Sequence, residues 1–240
     1  CLPAPAAAAN DDLTAAQKLE LETLRSQLAD PARTARTKLE AASLLLTRDY
    51  PEATAALVGF LTDQSNRPAQ VAVTEAIART GRTRPEFVKP LLAMLTGSEP
   101  SIRAAAAGAL SAYSEQGVIT ELVGLAGDRR RERPVRLATI SALGRIYDKR
   151  AVDALVDLLD DTDAAICEAA CDALAGLTSI QAFGHDRGRW RQWWKDNRDK
   201  TRDEWLADLA NSLARTNQQL DRTNAELRRR LESTLHDLYV

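Results

Sequence analysis

Apolar residues recur at helical spacing in four segments of the chain, and these segments lie about one repeat length apart. The segments start at Ala69, Ile102, Val135 and Ile166, which are 33, 33 and 31 residues apart. The positions three, seven and eight residues after each start fall on one face of a helix. Alanine occupies the third and the seventh position in all four segments, and Ile or Leu occupies the eighth. We expect both alanines to be buried where neighbouring helices approach closely.

A second apolar helix is predicted before each of these segments. Leu57 and Leu61 mark the first of these preceding helices, and Leu155 and Leu159 mark the last. Asp, Gly and Pro lie at the joins, where they suit the ends and starts of helices. A fifth, more divergent helix pair is expected over residues 13–49, but the pattern does not give its register. The pattern therefore predicts an all-α fold, an α-solenoid of about five helical hairpins.

The repeats resemble HEAT repeats of the bacterial kind that also occurs in phycobilisome lyase-like proteins. The resemblance rests on the period and on a Val/Ile–Arg pair that opens the second helix of a hairpin. This pair is Ile102–Arg103 in one repeat and Val135–Arg136 in the next, and it is lost at residues 69–70 and 166–167. The resemblance covers about residues 13–177 and implies the fold. It implies function only broadly, as binding to other macromolecules, because HEAT arrays serve many binding roles.

A Trp-rich segment follows the repeats, and we assign it to residues 181–202. It contains Trp190, Trp193 and Trp194, at a spacing that puts all three on one side of a helix. One interpretation is an aromatic site that stacks on a ligand or a base. The favoured interpretation is a hydrophobic cap over the open end of the last repeat, which a solenoid needs.

The remaining segment, residues 203–240, is predicted to be one long helix without Gly or Pro. Leu206, Leu213, Leu220 and Leu227 repeat every seven residues, and Ala210, Asn217, Asn224 and Leu231 follow them by four. This is a heptad pattern with Asn at two seam positions, which is typical of parallel dimeric coiled coils. Thr234 breaks the pattern. The alternatives are therefore a coiled-coil homodimer and a tail that folds back on the repeats.

Composition and motifs argue against several functional classes. The net charge is −2, with 32 Lys and Arg against 34 Asp and Glu, so the chain has no general attraction to nucleic acid or anionic membrane. No apolar stretch approaches the ~20 residues of a membrane-spanning helix. Phosphate-binding glycine loops, nucleophile elbows and His–Glu metal motifs are absent from the sequence. We therefore expect no enzymatic activity, no catalytic residues, no cofactor and no metal. Cys167 and Cys171, four residues apart, are interpreted as packed side chains.

The partner-binding groove is predicted from positions two, six and nine of each repeat, which turn away from the packed face. The residues proposed to form it are Glu75, Gly108, Ser141, Glu168 and Asp172. The full set of such positions contains three acids, many small residues and no Lys or Arg. A groove of this kind favours a protein segment that carries Lys or Arg, and it disfavours a phosphate backbone.

The run of charges at residues 129–133, with four Arg around Glu132, has two interpretations. The arginines could bind phosphates in a nucleic-acid complex. The alternative, which we favour because the predicted groove is acidic, is a solvated loop.

The chain starts at Cys1 and not at Met. A chain that starts at Cys, followed by a Pro/Ala-rich stretch, resembles a mature bacterial lipoprotein with an acylated first residue, although a fragment start is also open. The predicted organisation is a flexible tether over residues 1–12, the repeats over 13–180, the cap over 181–202 and the long helix over 203–240.

These observations predict a non-catalytic scaffold for protein–protein interactions, held as a lipoprotein on the periplasmic side of a bacterial cell envelope. A cytoplasmic location is the alternative. The alternative functions are a nucleic-acid-binding HEAT protein and an accessory lyase- or glycosylase-like HEAT protein. The expected partners are other proteins and, through the long helix, a second copy of the chain.

Overall fold

The computed structural model of the chain describes residues 13–239, and every regular element within them is helical. The helices are α1 (Ala15–Ala29), α2 (Ala35–Leu46), α3 (Pro51–Thr62), α4 (Arg67–Thr80), α5 (Pro85–Leu95), α6 (Pro100–Leu110), α7 (Gln116–Gly127), α8 (Arg133–Leu143), α9 (Lys149–Asp157), α10 (Ala164–Thr178), α11 (Arg187–Asn197) and α12 (Arg202–Tyr239). Short 3₁₀ turns at Leu158–Asp160 and Gln181–Phe183 follow α9 and α10. The first ten helices are those of the five predicted hairpins, so the fold is the all-α solenoid type that the repeat predicts.

The chain divides between Ala93 and Met94, within α5, into two compact units. In the first unit, α2 packs against α1, α3 and α4, and α3 packs against α4. Leu28, Leu45 and Leu57 are fully buried at these contacts. In the second unit, α8 packs against α6, α7, α9 and α10, so it has helices on several sides.

Two of the three seventh-position alanines of the second unit lie in its core, whereas Ala173 of the last repeat is only half-buried, contrary to the prediction. Ala109 and Ala142 are fully buried, as predicted. The alanines at the third position, Ala105 and Ala138, are only half-buried, so the prediction that they are buried is wrong. The matching alanine of the last repeat, Ala169, lines an open groove. In the second unit the third position therefore lies at the edge between the packed side and the open side of the helix, whereas Ala72 in the first unit is buried, as predicted.

A polar side chain is buried at the start of the second helix of each hairpin, one position after the start of the apolar pattern. In each case it donates a hydrogen bond to a main-chain carbonyl at or just after the end of the preceding helix. The bonds run from Lys38 Nζ to Leu28 O (2.5 Å), from Gln70 Nε2 to Leu61 O (2.9 Å), from Arg103 Nη2 to Gly97 O (2.8 Å), from Arg136 Nε to Ala126 O (2.7 Å) and from Cys167 Sγ to Asp161 O (3.1 Å). The last carbonyls of a helix have no hydrogen-bond partner within the helix. These bonds supply donors to the chain at that end and hold the two helices of each hairpin together.

Lys38 also fixes the register of the first hairpin, which the apolar pattern does not give. It lies 32 residues before Gln70 and is buried like its counterparts. Its second bond, from Nζ to the carbonyl of Asp30, is 2.8 Å long. Burial lowers the pKa of the Lys38 ammonium. The first hairpin thus has the same type of hydrogen bond between its two helices, with a lysine as the donor.

The last two helices pack on the last hairpin. Helix α11 contacts α9, and α12 contacts α10. Trp190 and Trp194 of α11 and Trp205 of α12 are buried. The contact of α12 ends near Thr216, because every side chain from 217 to 235 is exposed. None of the described helices combines the length and the apolar character that crossing a membrane requires.

Candidate functional site

An open groove runs between α8 and α10 in the second unit, with a volume of about 480 Å³. Its lining residues are Leu137, Ile140, Ser141, Gly144, Arg145, Tyr147, Ala169, Asp172, Ala173 and Gly176. Four of these, Gly144, Ala169, Ala173 and Gly176, are Gly or Ala. We call this the α8–α10 groove. Small residues leave the main chain of both helices accessible to a bound segment.

The chain just after α8 comes close to α10 at Gly144. A Cβ atom placed on Gly144 would lie 2.7 Å from the Cβ and 3.0 Å from the Cα of Ala173. Its φ of −66° is ordinary for any residue, so the need for glycine is steric. Gly144 and Ala173 both line the α8–α10 groove.

The rim of the groove carries charges of both signs. Asp172 is exposed, and its Oδ1 lies 2.9 Å from His185 Nε2. Arg145 lines the groove beside Tyr147, whose side chain is 52% exposed. The expectation that this side of the repeats carries no Lys or Arg is wrong. Arg145 lies in the turn that follows α8, outside the helical positions considered in the sequence, and its side chain lines the groove.

A second groove, of about 930 Å³, lies between α2 and α4 in the first unit. Leu39 and Leu44 give it an apolar lining, and Leu44 is exposed. Each wall carries an ion pair between residues four apart: Arg36 Nε to Glu40 Oε1 at 2.9 Å on α2, and Arg79 Nη2 to Glu75 Oε1 at 2.5 Å on α4. The negative charge of Glu75 is therefore offset by an arginine on its own helix.

The structure brings together two of the five predicted groove residues. Ser141 and Asp172 line the α8–α10 groove, whereas Glu75 lines the groove of the first unit. Gly108 lies on α6, where an added Cβ would be 3.9 Å from Arg145 Nη1. Glu168 is exposed on α10 and is not among the lining residues. The helical pattern did not indicate Arg145 or Tyr147, because both lie after Leu143, the last residue of α8.

Three of the arginines before and within α8 are paired with aspartates of the loop before α10. The Arg136–Asp161 pair has a distance of 2.6 Å from Nη2 to Oδ2, and its side chains are 5% and 4% exposed. Arg129 Nε lies 3.5 Å from the same Oδ2, and Arg133 Nε lies 2.5 Å from Asp163 Oδ2. The hydrogen bond from Arg136 holds the pKa of the Asp161 carboxyl below its usual range. These arginines therefore link successive hairpins.

Residues 129–183 match the family model of HEAT repeats. The matched segment contains α8, α9 and α10, and with them the paired arginines and the α8–α10 groove. No curated protein matches the chain. Among solved structures, a crystal structure of an engineered protein is similar, with a TM-score of 0.39, 22% identity and coverage of 83% of this chain and 97% of that one. A designed armadillo repeat protein in complex with the peptide (KR)4 has a TM-score of 0.40 and 18% identity, with coverage of 82% and 99%.

The Trp cluster directly follows the HEAT-repeat segment. Trp190 donates from Nε1 to the carbonyl of Gly184 at 2.9 Å, and Trp194 donates from Nε1 to Asp153 Oδ1 at 2.6 Å. The rings of Phe183 and Trp190 meet edge to face with centroids 5.0 Å apart. Trp193 is half-buried against the other two rings. Because two of the three rings are buried and their N–H groups bonded, the geometry favours the cap over a stacking site.

The two cysteines of the HEAT-repeat segment are packed inside it. Cys167 and Cys171 are both buried, and burial raises the pKa of the Cys171 thiol. Among the side chains that the structure describes, no group of three or more His, Cys, Asp and Glu residues could hold a metal ion. Cys1 lies outside the described residues, so its acylation stays a prediction.

Proposed function

We propose that the chain is a non-catalytic scaffold that binds a short segment of a partner protein in the α8–α10 groove. The proposal rests on the α8–α10 groove. This open channel is lined by small residues, with charged and aromatic side chains at its rim. The matched HEAT repeats are compatible with this role. A small-residue floor lets a helix or an extended peptide approach the main chain closely.

The rim indicates what kind of segment would fit. Asp172 offers a carboxylate to a Lys or Arg, and Arg145 offers a guanidinium to an acid, so a segment with both charges matches better than a purely basic one. Tyr147 presents a large, rigid surface of the type that contributes strongly to binding in protein interfaces. The charges are exposed, so each contributes only ~0.2–1 kcal/mol, and contact area supplies most of the affinity.

The paired arginines support a protein partner over a nucleic acid. A phosphate-binding surface needs cations that are free to pair with phosphates and displace the counterions condensed on the nucleic acid. Arg129, Arg133 and Arg136 instead each have an aspartate within 3.5 Å, 2.5 Å and 2.6 Å respectively. No specific observation favours the lyase- or glycosylase-like alternative. Binding to a generic DNA duplex that weakens steeply with added salt would favour the nucleic-acid function instead.

A groove-filling variant tests the proposal. Ser141 is exposed, and a Cβ on Gly176 would meet no atom within 4 Å, so Ser141→Phe with Gly176→Leu fills the α8–α10 groove without disturbing the core. The matched control is Glu121→Phe with Gly124→Leu on α7, where both positions are exposed and an added Cβ on Gly124 also meets nothing within 4 Å.

Affinity capture from native extract, quantified by mass spectrometry, gives the comparison. We expect the wild type and the α7 control to recover the same proteins, and the groove-filled variant to lose a defined subset at least tenfold. Equal recovery by all three chains would rule out the α8–α10 groove as the binding surface.

The envelope location is part of the proposal and depends on Cys1. Mass spectrometry of the native protein tests it, because an acylated terminus adds the mass of its lipid chains. A single acyl chain binds membranes only weakly, so we expect more than one. An unmodified Cys1, or further residues before it, would contradict membrane attachment by this route.

A further inference from the structure

Helix α12 has two apolar faces, and within the part of the chain that the structure describes only one of them has a partner. Trp205 and Leu209 face α10 and are buried. Thr216 ends this contact with a hydrogen bond from its Oγ1 to the carbonyl of Ser179, at 3.3 Å. After Thr216 the helix continues without any buried side chain through residue 235.

The second face is a row of exposed leucines. It begins at Leu213, before the contact with α10 ends at Thr216. Leu213, Leu220, Leu227, Leu231 and Leu235 are 45–61% exposed. The first four, with Asn217 and Asn224 between them, alternate at spacings of four and three residues, which is the period of a coiled-coil seam. The step from Leu231 to Leu235 is four residues again, so the regular heptad ends at Leu231. An exposed helix of this length gains little stability by itself, because helices depend on packing an apolar face.

We propose that a second copy of this chain packs against this face, with residues 213–231 of the two copies forming a parallel coiled coil. The two asparagines identify the partner. An amide in an apolar seam needs a partner that both donates and accepts hydrogen bonds, and in a parallel pair each Asn lies opposite its own twin. In an antiparallel pair the same positions face the leucine positions, and the amides of Asn217 and Asn224 lose that partner.

The charges beside the seam are compatible with this arrangement. In a parallel pair the flanking positions bring Thr216 near Asp221 and Thr223 near Arg228 of the second copy, so no like charges meet. Arg230 is already held within its own helix, with Nη2 2.5 Å from Glu226 Oε1. Nothing at the flanks therefore opposes association of two identical helices.

The test uses the full chain, in a Cys1→Ser background so that the remaining native thiols are the buried ones. Light scattering should give the wild type a mass twice that of the 26.2 kDa chain. Leu220→Glu with Leu227→Glu puts charges into the seam and should return the monomer mass. The control, Gln218→Glu with Ala225→Glu, adds the same charges beside the seam and should remain a dimer. Circular dichroism checks that both variants keep their helices.

Orientation is tested separately by Asn217→Cys under mild oxidation. Twin positions lie opposite each other only in the parallel pair, so a covalent dimer should form readily on a non-reducing gel. A wild-type monomer at all concentrations overturns the proposal, as does a dimer that survives the Leu220→Glu, Leu227→Glu change. A dimer that gives no disulfide from Asn217→Cys overturns the parallel arrangement.

Discussion

At the scale of single residues, the buried polar side chain that opens the second helix of each hairpin organises the repeat. Arginine fills this position in two hairpins, and lysine, glutamine and cysteine fill it in the others, yet each donates to a carbonyl at the end of the preceding helix. Arg136 does more than its counterparts, because it also binds Asp161 ahead of α10. It therefore ties together α7, α8 and the loop after α9.

Removing Arg136 should destabilise the second unit strongly. Arg136→Met keeps much of the aliphatic stem but leaves the Asp161 carboxylate, whose side chain is 4% exposed, without its closest cation. Breaking a buried ion pair from one side costs about 3–5 kcal/mol. Urea unfolding followed by circular dichroism measures the loss. Arg130→Met is the control, because Arg130 is exposed in the loop before α8. Its loss should change the free energy of unfolding by less than about 0.5 kcal/mol. Equal midpoints for the two variants would show that the buried pair does not stabilise the unit.

The same ion pair predicts how stability depends on pH. The pKa of Asp161 is held below its value in the unfolded chain, so the unfolded state binds a proton first as the pH falls. The stabilisation is fully present above the unfolded pKa of about 3.9, and it is lost as the pH drops through the folded value. Asp161→Asn should therefore be less stable than the wild type at neutral pH and lose less on acidification from about pH 5 to about pH 3.

Asp199→Asn provides the control for that comparison, since the Asp199 side chain is 92% exposed. Its urea midpoints should follow those of the wild type at every pH. If Asp161→Asn also followed the wild type over the whole range, the account of the ion pair would fail.

At the scale of helices, the contact between the end of α8 and α10 depends on one missing methyl group. Gly144→Ala would place a Cβ 2.7 Å from the Cβ of Ala173, and the backbone at Gly144 is otherwise suited to alanine. The helices must move apart, which typically costs about 1–3 kcal/mol. In contrast, Gly176→Ala on α10 meets no atom within 4 Å and should stabilise by up to about 1 kcal/mol through its better helix propensity. Urea unfolding of the two single variants should show shifts of opposite sign.

The helices themselves could be predicted from the sequence because burial follows the helical period, and Ala109 and Ala142 show this directly. The register of the first hairpin could not, because its fixed point is Lys38, a cation that an apolar pattern does not count. The burial of Ala105 was overestimated for a related reason: a pattern identifies one face of a helix but not the edge where that face meets solvent.

The candidate site was predictable only in part. Ser141 and Asp172 follow from their helical positions. Arg145 and Tyr147 both lie beyond the end of α8, where helical spacing no longer applies, and Arg145 lines the groove with a long side chain. Long side chains and residues outside helices need the three-dimensional arrangement of α8 and α10 before they can be assigned.

At the scale of the whole molecule, we propose a binding groove in the second unit and self-association through α12. A dimer through α12 carries two α8–α10 grooves, so a partner with two binding segments would gain avidity without any new contact. The two properties are separable. Filling the groove should leave the dimer intact, and breaking the coiled coil should leave a single groove able to bind.

Site-specific photo-crosslinking tests the central claim most directly. A photoreactive amino acid is introduced at Ser141, in the α8–α10 groove, or at Glu121, which is exposed on α7 and lines a separate surface groove. Each protein is then irradiated with the partners that affinity capture recovers. The account predicts a covalent adduct with the same partner from position 141 and none from position 121. Adducts from position 121 alone, or equal adducts from both positions, would contradict the assignment of the groove as the binding surface.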